Sequence, residues 1–162
     1  MAGFCEGEYG CFGSMVIDGS FPLNCPAWDL YGYQQLWGEF EIRQDEVLLP
    51  TADGRRSYPS RLDQSEYELT LYINGEVDQV GTPWADVWEG LYNNLQTLQN
   101  NVFLPVGTGR GTRSAVLTQP WGGTMSADVK FESLRAADPV EDARFAVYRT
   151  TVIVPAGRFV AP

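Results

Sequence analysis

The sequence predicts a mostly β (α+β) fold, an antiparallel β-sandwich with one flanking amphipathic helix. Three observations carry this. Tyr67, Leu69, Leu71 and Ile73 alternate with Glu68, Thr70 and Tyr72, the period of a half-buried strand. Met125, Ala127, Val129 and Phe131 alternate in the same way with Ser126, Asp128, Lys130 and Glu132. Between these segments lies a single stretch with helical spacing, where Trp84, Val87, Trp88, Leu91, Leu95, Leu98 and Val102 recur at threes and fours.

In chain order, residues 1–14 form an arm in which Gly3, Gly7, Gly10 and Gly13 interleave with Phe4, Tyr9 and Phe12. It is too glycine-rich for an isolated helix or a strand, and its aromatics need something to pack on. Residues 15–162 make the sandwich domain. It opens on a hairpin, Met15-Val16-Ile17 and Phe21-Pro22-Leu23 around Asp18-Gly19. Two short strands are expected between Trp28 and Ile42. The polar stretch from Pro50 to Gln64, with Arg55, Arg56, Tyr58 and Arg61, reads as a long loop, and a loop of that length usually has a job.

The helix is expected to begin at Thr82 as N-cap with Pro83 in the first turn, where its missing N–H costs nothing. Asn100 and Asn101 would close it, and at 1.5 Å per residue it runs roughly 28 Å across the sheet. Trp88 and Leu95 lie at the centre of its stripe, so both are expected in the core. Trp84 and Trp88 could form a ligand platform, but such a stripe is far more often core. Val106 to Gly111 is a flexible turn, followed by strands at Ala115–Thr118, Met125–Leu134 and Arg144–Val154 and an irregular tail from Pro155.

Composition narrows the function. A chain of 162 residues suits one domain that buries about 70% of its unfolded surface. Its 21 Asp+Glu against 11 Lys+Arg give a net charge of −10, and ten of those cations are Arg scattered from Arg43 to Arg158. Phosphate binding needs clustered cations, so nucleic-acid binding is disfavoured. No apolar run approaches the roughly 20 residues that span a bilayer, and the N-terminus carries no basic-then-apolar signal, so a soluble protein made in a cytoplasm is expected. Cys5, Cys11 and Cys25 are an odd number and read as buried or semi-buried thiols rather than a disulfide framework.

Catalysis finds no support. The sequence has no histidine, which removes Ser-His and Cys-His pairs and every His-containing metal site. The glycines of Gly107-Thr108-Gly109-Arg110-Gly111 follow the helix rather than precede one, the wrong order for a phosphate loop. Asp45-Glu46 and Glu141-Asp142 look like solvated charge, and Asp138 to Asp142 lacks calcium-loop spacing. The reading is therefore not an enzyme, with no catalytic, cofactor-binding or metal residues and no cofactor.

The order of elements resembles the tail-tube-like domain of long-tailed bacteriophages, and most closely the distal tail (tail-tip) proteins of phages infecting actinobacteria. The likeness rests on Leu48-Leu49-Pro50-x-x-Asp53-Gly54-Arg55 and on Tyr67-x-Leu69-x-Leu71-x-Ile73-Asn74-Gly75. It rests also on the helix from Trp84 to Leu98 and the closing strand Tyr148 to Val154. It covers about Met15 to Val154; the arm has no counterpart. The resemblance implies a structural subunit of the virion tail, a ring of copies of itself, usually a hexamer, between tail tube and tail tip. Its partners would be the tail-tube protein and tail-tip hub proteins, with DNA passing through unbound and no membrane contact. The additional C-terminal carbohydrate-binding or galectin-like domain of some distal tail proteins is expected to be absent. A major tail-tube protein or a tail terminator or connector shares the same resemblance. From another class, a small carbohydrate-binding β-sandwich module fits the abundance of Trp and Tyr. For a ring, an acidic lumen is expected, with Glu66, Glu68, Asp128 and Glu132 as candidates to line it.

Overall fold

A computed structural model describes residues 14–32, 36, 42–43, 46–48, 55–57, 61–62, 64–104, 111–119 and 122–162. The strands in order are β1 (Ser14–Ile17), β2 (Phe21–Pro22), β3 (Asn24–Cys25), β4 (Trp28–Tyr31), β5 (Ile42–Arg43), β6 (Glu46–Leu48), β7 (Arg55–Ser57), β8 (Arg61–Leu62) and β9 (Ser65–Ile73). The helix α1 (Val87–Leu98) follows, then β10 (Arg113–Thr118), β11 (Thr124–Ala136) and β12 (Ala146–Val154).

Eight strands form one antiparallel sheet in the order β2-β1-β10-β11-β12-β9-β4-β3. The sheet folds on itself through β11, whose first half pairs with β10 and whose second half pairs with β12. Glu132 is the extra residue at the change of register between Phe131 and Ser133, and a bulge there bends and twists the strand. The two ends of the strand order meet at Leu23. Its N–H donates to the Met15 carbonyl and its carbonyl accepts from Leu30 N–H, which nearly closes the sheet into a barrel. The expected antiparallel β-sandwich with one helix is thus present, its two layers made from one continuous sheet.

Alternation decides which side chains are enclosed. Along β9, Tyr67, Leu69, Leu71 and Ile73 point inward and are buried, opposite Val152, Thr150, Tyr148 and Ala146 of β12. Trp28 of β4 fills the centre; its indole N–H reaches the Pro22 carbonyl at 3.1 Å and its ring stacks on Phe21. The expected hairpin forms, with Asp18 and Gly19 both at positive φ in its turn. The tail is less irregular than its composition suggests. Phe159 is buried, and Val160 exchanges two backbone hydrogen bonds with Ser126.

The stretch expected as a loop from Pro50 to Gln64 instead supplies two strands. β7 pairs with β6 and β8 with β5, forming a hairpin apart from the main sheet. A polar strand pair of this kind lacks the apolar alternation that marks the others, and without it a strand reads as a loop. The expected arm, Cys5, Cys11, Asp45 and the glycine turn at 107–110 lie outside the described residues.

The helix differs from expectation at both ends. Thr82 and Pro83 belong to a small hairpin, in which Asp78 N–H donates to the Thr82 carbonyl and Trp84 N–H to the Glu76 carbonyl. The Asp78 carboxylate also accepts from Val80 and Thr82 N–H, which holds Thr82 out of a cap. Asp86 caps instead: its backbone is extended and its carboxylate accepts from Trp88 and Glu89 N–H. At the far end the chain runs past Asn100 and Asn101 as a π-helical turn, Gln99–Phe103. Arg113 closes it by donating to the Val102 and Leu104 carbonyls while pairing with Asp18 at 2.8 Å.

Candidate functional site

Each strand that buries one face offers the other to solvent. On β9, β12 and β11 that outer face carries Glu66, Glu68, Thr70 and Tyr72, then Val147, Arg149, Thr151 and Ile153, then Lys130, Glu132, Ser133 and Arg135. Ile153 is buried there between Glu66 and Lys130, which stand opposite it on either side. Their aliphatic stems can cover apolar surface while the charges stay in water.

The middle of this face is a polar groove of about 540 Å³ lined by Glu68, Glu132, Ser133, Arg135, Arg149 and Thr151. Arg149 pairs with Glu68 at 3.5 Å and Lys130 with Glu132 at 3.7 Å, all four side chains well exposed. Exposed pairs of this kind contribute about 0–1 kcal/mol each. The four carboxylates expected to line an acidic lumen, Glu66, Glu68, Asp128 and Glu132, are indeed exposed on outward positions. They share the face with Lys130, Arg135 and Arg149, however, so it is mixed in charge rather than uniformly acidic. The cations sit on β11 and β12 and become neighbours of Glu68 only through strand register, which the linear sequence does not display.

One end of the face is aromatic. Tyr31 meets Tyr72 edge-on with ring centroids 4.9 Å apart, and Phe145 stacks on Tyr72 at 5.0 Å. With Pro26, Trp28 and Asp29 they line a cleft of about 390 Å³. Asp29 is held by hydrogen bonds from the Asn24 amide and the Tyr31 hydroxyl. Burial pushes its carboxyl above the usual Asp range, and those two hydrogen bonds offset part of the rise. Tyr31 is also raised, by burial first and then by the Asp29 charge. The sequence reading singled out none of these residues. Tyr31 and Tyr72 sit at outward positions of their strands, and that parity was the available signal.

A second aromatic pair lies on α1, where Trp88 is 51% and Tyr92 61% exposed. This corrects the expectation that Trp88 is core. Leu91, Asn94, Leu98 and Val102 are buried, whereas Leu95 is only partly so. The helix is pulled in along the flank away from Trp88, where Gly90 sits against the Gly75 carbonyl and Asn94 donates to the Asn74 and Val77 carbonyls at 2.8 and 2.9 Å. Trp84, the other member of the expected stripe, packs against Gly90 from outside the helix.

Of the other residues weighed for chemistry, Cys25 is buried and its thiol is raised by that burial, as expected of an unreactive thiol. Glu141 and Asp142 are exposed, and Asp142 accepts from Arg144 N–H in a local turn. Among the described residues no group of three or more Cys, Asp or Glu could hold a metal ion. Among them, too, no helix is long and apolar enough to cross a membrane.

The fold is a nearly closed antiparallel β-domain with one α-helix. The crystal structure of the SPP1 Dit protein, described as a paradigm of the hub adsorption apparatus in phages infecting Gram-positive bacteria, matches it with a TM-score of 0.57 at 12% identity. The match covers 93% of this chain and 52% of the Dit chain, so this chain spans about half the length of that protein. No protein-family model matches the sequence. No curated protein matches it either.

Proposed function

We propose that this chain is a structural subunit of a bacteriophage tail, of the distal-tail type, that assembles with copies of itself into a ring between tail tube and tail tip. The observation that carries the reading is the fold shared with the Dit hub protein along 93% of the chain. The absence of histidine and the exposed aromatic and mixed-charge outer surfaces fit a part that packs rather than one that turns over substrate. A hexamer of chains of charge −10 would carry roughly −60, which favours release of DNA rather than retention. Because the outer face of β9, β12 and β11 mixes both signs, it suits contact between subunits better than a DNA-facing wall.

Electron microscopy of the purified full chain tests this: closed rings support the reading, and a protein that stays monomeric at all concentrations counts against it. Arg55 and Arg56, now in β7 of the hairpin, are the positions to change within that assay. Replacing both by Ser is expected to leave the fold intact and weaken ring formation, since Arg is enriched at interfaces and the acidic surface offers carboxylates. A ring equally stable in low and high salt after that change assigns the hairpin another role.

A carbohydrate-binding module is the second reading, and the aromatic cleft with Asp29 is what favours it, because aromatic faces beside a carboxylate suit sugar rings. A monomer whose Tyr31 and Tyr72 signals shift on adding glycans would select it.

A further inference from the structure

Strand register sorts the outer face of β9, β12 and β11 into three rows. Glu66, Ile153 and Lys130 share the first, Glu68, Thr151 and Ser133 the second, and Thr70, Arg149 and Arg135 the third. Arg135 reaches its row only because of the bulge. Val129 and Phe131 are buried on the inner side before it, and without the extra Glu132 the same parity would turn Ser133 and Arg135 inward as well. The bulge instead sets Arg135 directly opposite Arg149, and like charges so placed destabilise a sheet.

The charges are only partly matched within the chain. Arg149 pairs with Glu68 and Lys130 with Glu132, whereas Glu66 and Arg135, both exposed, form no ion pair among the described residues. They stand at opposite corners of the face, Glu66 on β9 in the first row and Arg135 on β11 in the third. With strands about 4.8 Å apart and a rise of about 3.3 Å per residue, that diagonal is about 16 Å, too far for a pair within one copy. A uniformly acidic partner would be repelled by Glu66 and Glu68, and a uniformly basic one by the two arginines. A surface with the same pattern inverted satisfies both, and a second copy of this chain carries one. Laid face to face and turned over about an axis diagonal to the strands, it sets its Glu66 over Arg135 and its Glu68 over Arg149. The same rotation returns the reciprocal pairs, as a two-fold contact requires. Two copies of charge −10 repel overall, so a contact between them needs opposite signs to meet.

We propose that the outer face of β9, β12 and β11 docks on the same face of a second copy of this chain, with Glu66 and Glu68 of each meeting Arg135 and Arg149 of the other. The contact rests on the reading of this face as one between subunits. Being two-fold, it pairs copies and does not itself close a ring.

Exchanging charges on the full chain tests this by sedimentation velocity, with the contact read as a doubling of mass, from monomer to dimer or from one ring to two. Glu66→Arg or Arg135→Glu alone sets like charges together and should move the doubling to a concentration on the order of tenfold higher or more. The two changes combined restore opposite signs at the same net charge of −10 and should bring it back. Glu66→Arg with Arg144→Glu also keeps −10 but lies off the three rows on one side, and it should not. Doubling unchanged in the single variants would overturn the contact, as would its return in the Arg144 control, which would make net charge the whole cause. A wild type that forms rings without doubling overturns the contact and leaves the proposed function standing. A wild type that stays monomeric overturns both.

Discussion

The two flanks of α1 are held by opposite means. On one, Gly90 brings the helix backbone against the Gly75 carbonyl, and Asn94 reaches two carbonyls of the 74–77 turn. On the other, Trp88 and Tyr92 offer far more apolar area and yet stay half exposed or more. A helix docks where its backbone can come closest, and side-chain size is secondary to that. Close-packed interiors reward small residues at points of contact as much as large ones.

The largest expected effect is therefore at the smallest residue. A methyl group on Gly90 would overlap the Gly75 carbonyl oxygen and the Trp84 ring, and a backbone carbonyl cannot rotate away as a side chain can. Alanine improves intrinsic helix propensity by about 1 kcal/mol, so the local term alone predicts a more stable protein. Overpacking is expected to outweigh it, leaving Gly90→Ala about 2–3 kcal/mol less stable by denaturant unfolding. A gain in stability would show that the close approach is not what positions the helix. Asn94→Ala comes next. It leaves the Asn74 and Val77 carbonyls without their amide donor in a buried setting, at a cost of about 1–3 kcal/mol.

On the opposite flank, Trp88→Ala should cost only about 1 kcal/mol, because about half of the residue stays in water on folding. A loss as large as that of a core aromatic, about 3–5 kcal/mol, would mean that the stripe and not the glycine flank faces the sheet. The expectation for Leu95 is reduced in the same way, since it is only partly buried.

What the sequence made legible follows from how each element is held. β9 and β11 bury one face and wet the other, so period-two alternation placed Leu69, Leu71, Val129 and Phe131 in the core correctly. The helix was visible from its period, but its rotation was not. The stripe of large residues pointed to Trp88, while Gly90 and Asn94, which set the rotation, read as poor helix formers. A glycine and an asparagine inside an otherwise periodic helix were the signal to weigh. Thr82-Pro83 looked like the cap in the sequence, because the Asp78 turn that engages Thr82 is formed partly across a hairpin. The outer surface was least legible, because its groove and aromatic cleft arise from cross-strand register. Arg135 and Arg149 are distant in sequence and directly opposed in the sheet.

The smallest expected effect sharpens the comparison from the sheet side. Asn94 and Thr150 are both polar and almost fully buried, at 2% and 1% exposure. Asn94 donates two hydrogen bonds, whereas the Thr150 hydroxyl has no partner. It faces inward on β12 beside Leu69 and Leu134, its cross-strand neighbours. Burying an unpaired hydroxyl is unfavourable, and valine keeps the β-branched shape and strand preference while removing that group. Thr150→Val should thus be neutral or stabilising by up to about 1 kcal/mol, the opposite sign from Asn94→Ala. Thermal unfolding of the two variants side by side is the measurement. If Thr150→Val lowers the melting temperature as Asn94→Ala does, the hydroxyl is paired in solution, and burial of a polar group in this sheet is as purposeful as it is under the helix.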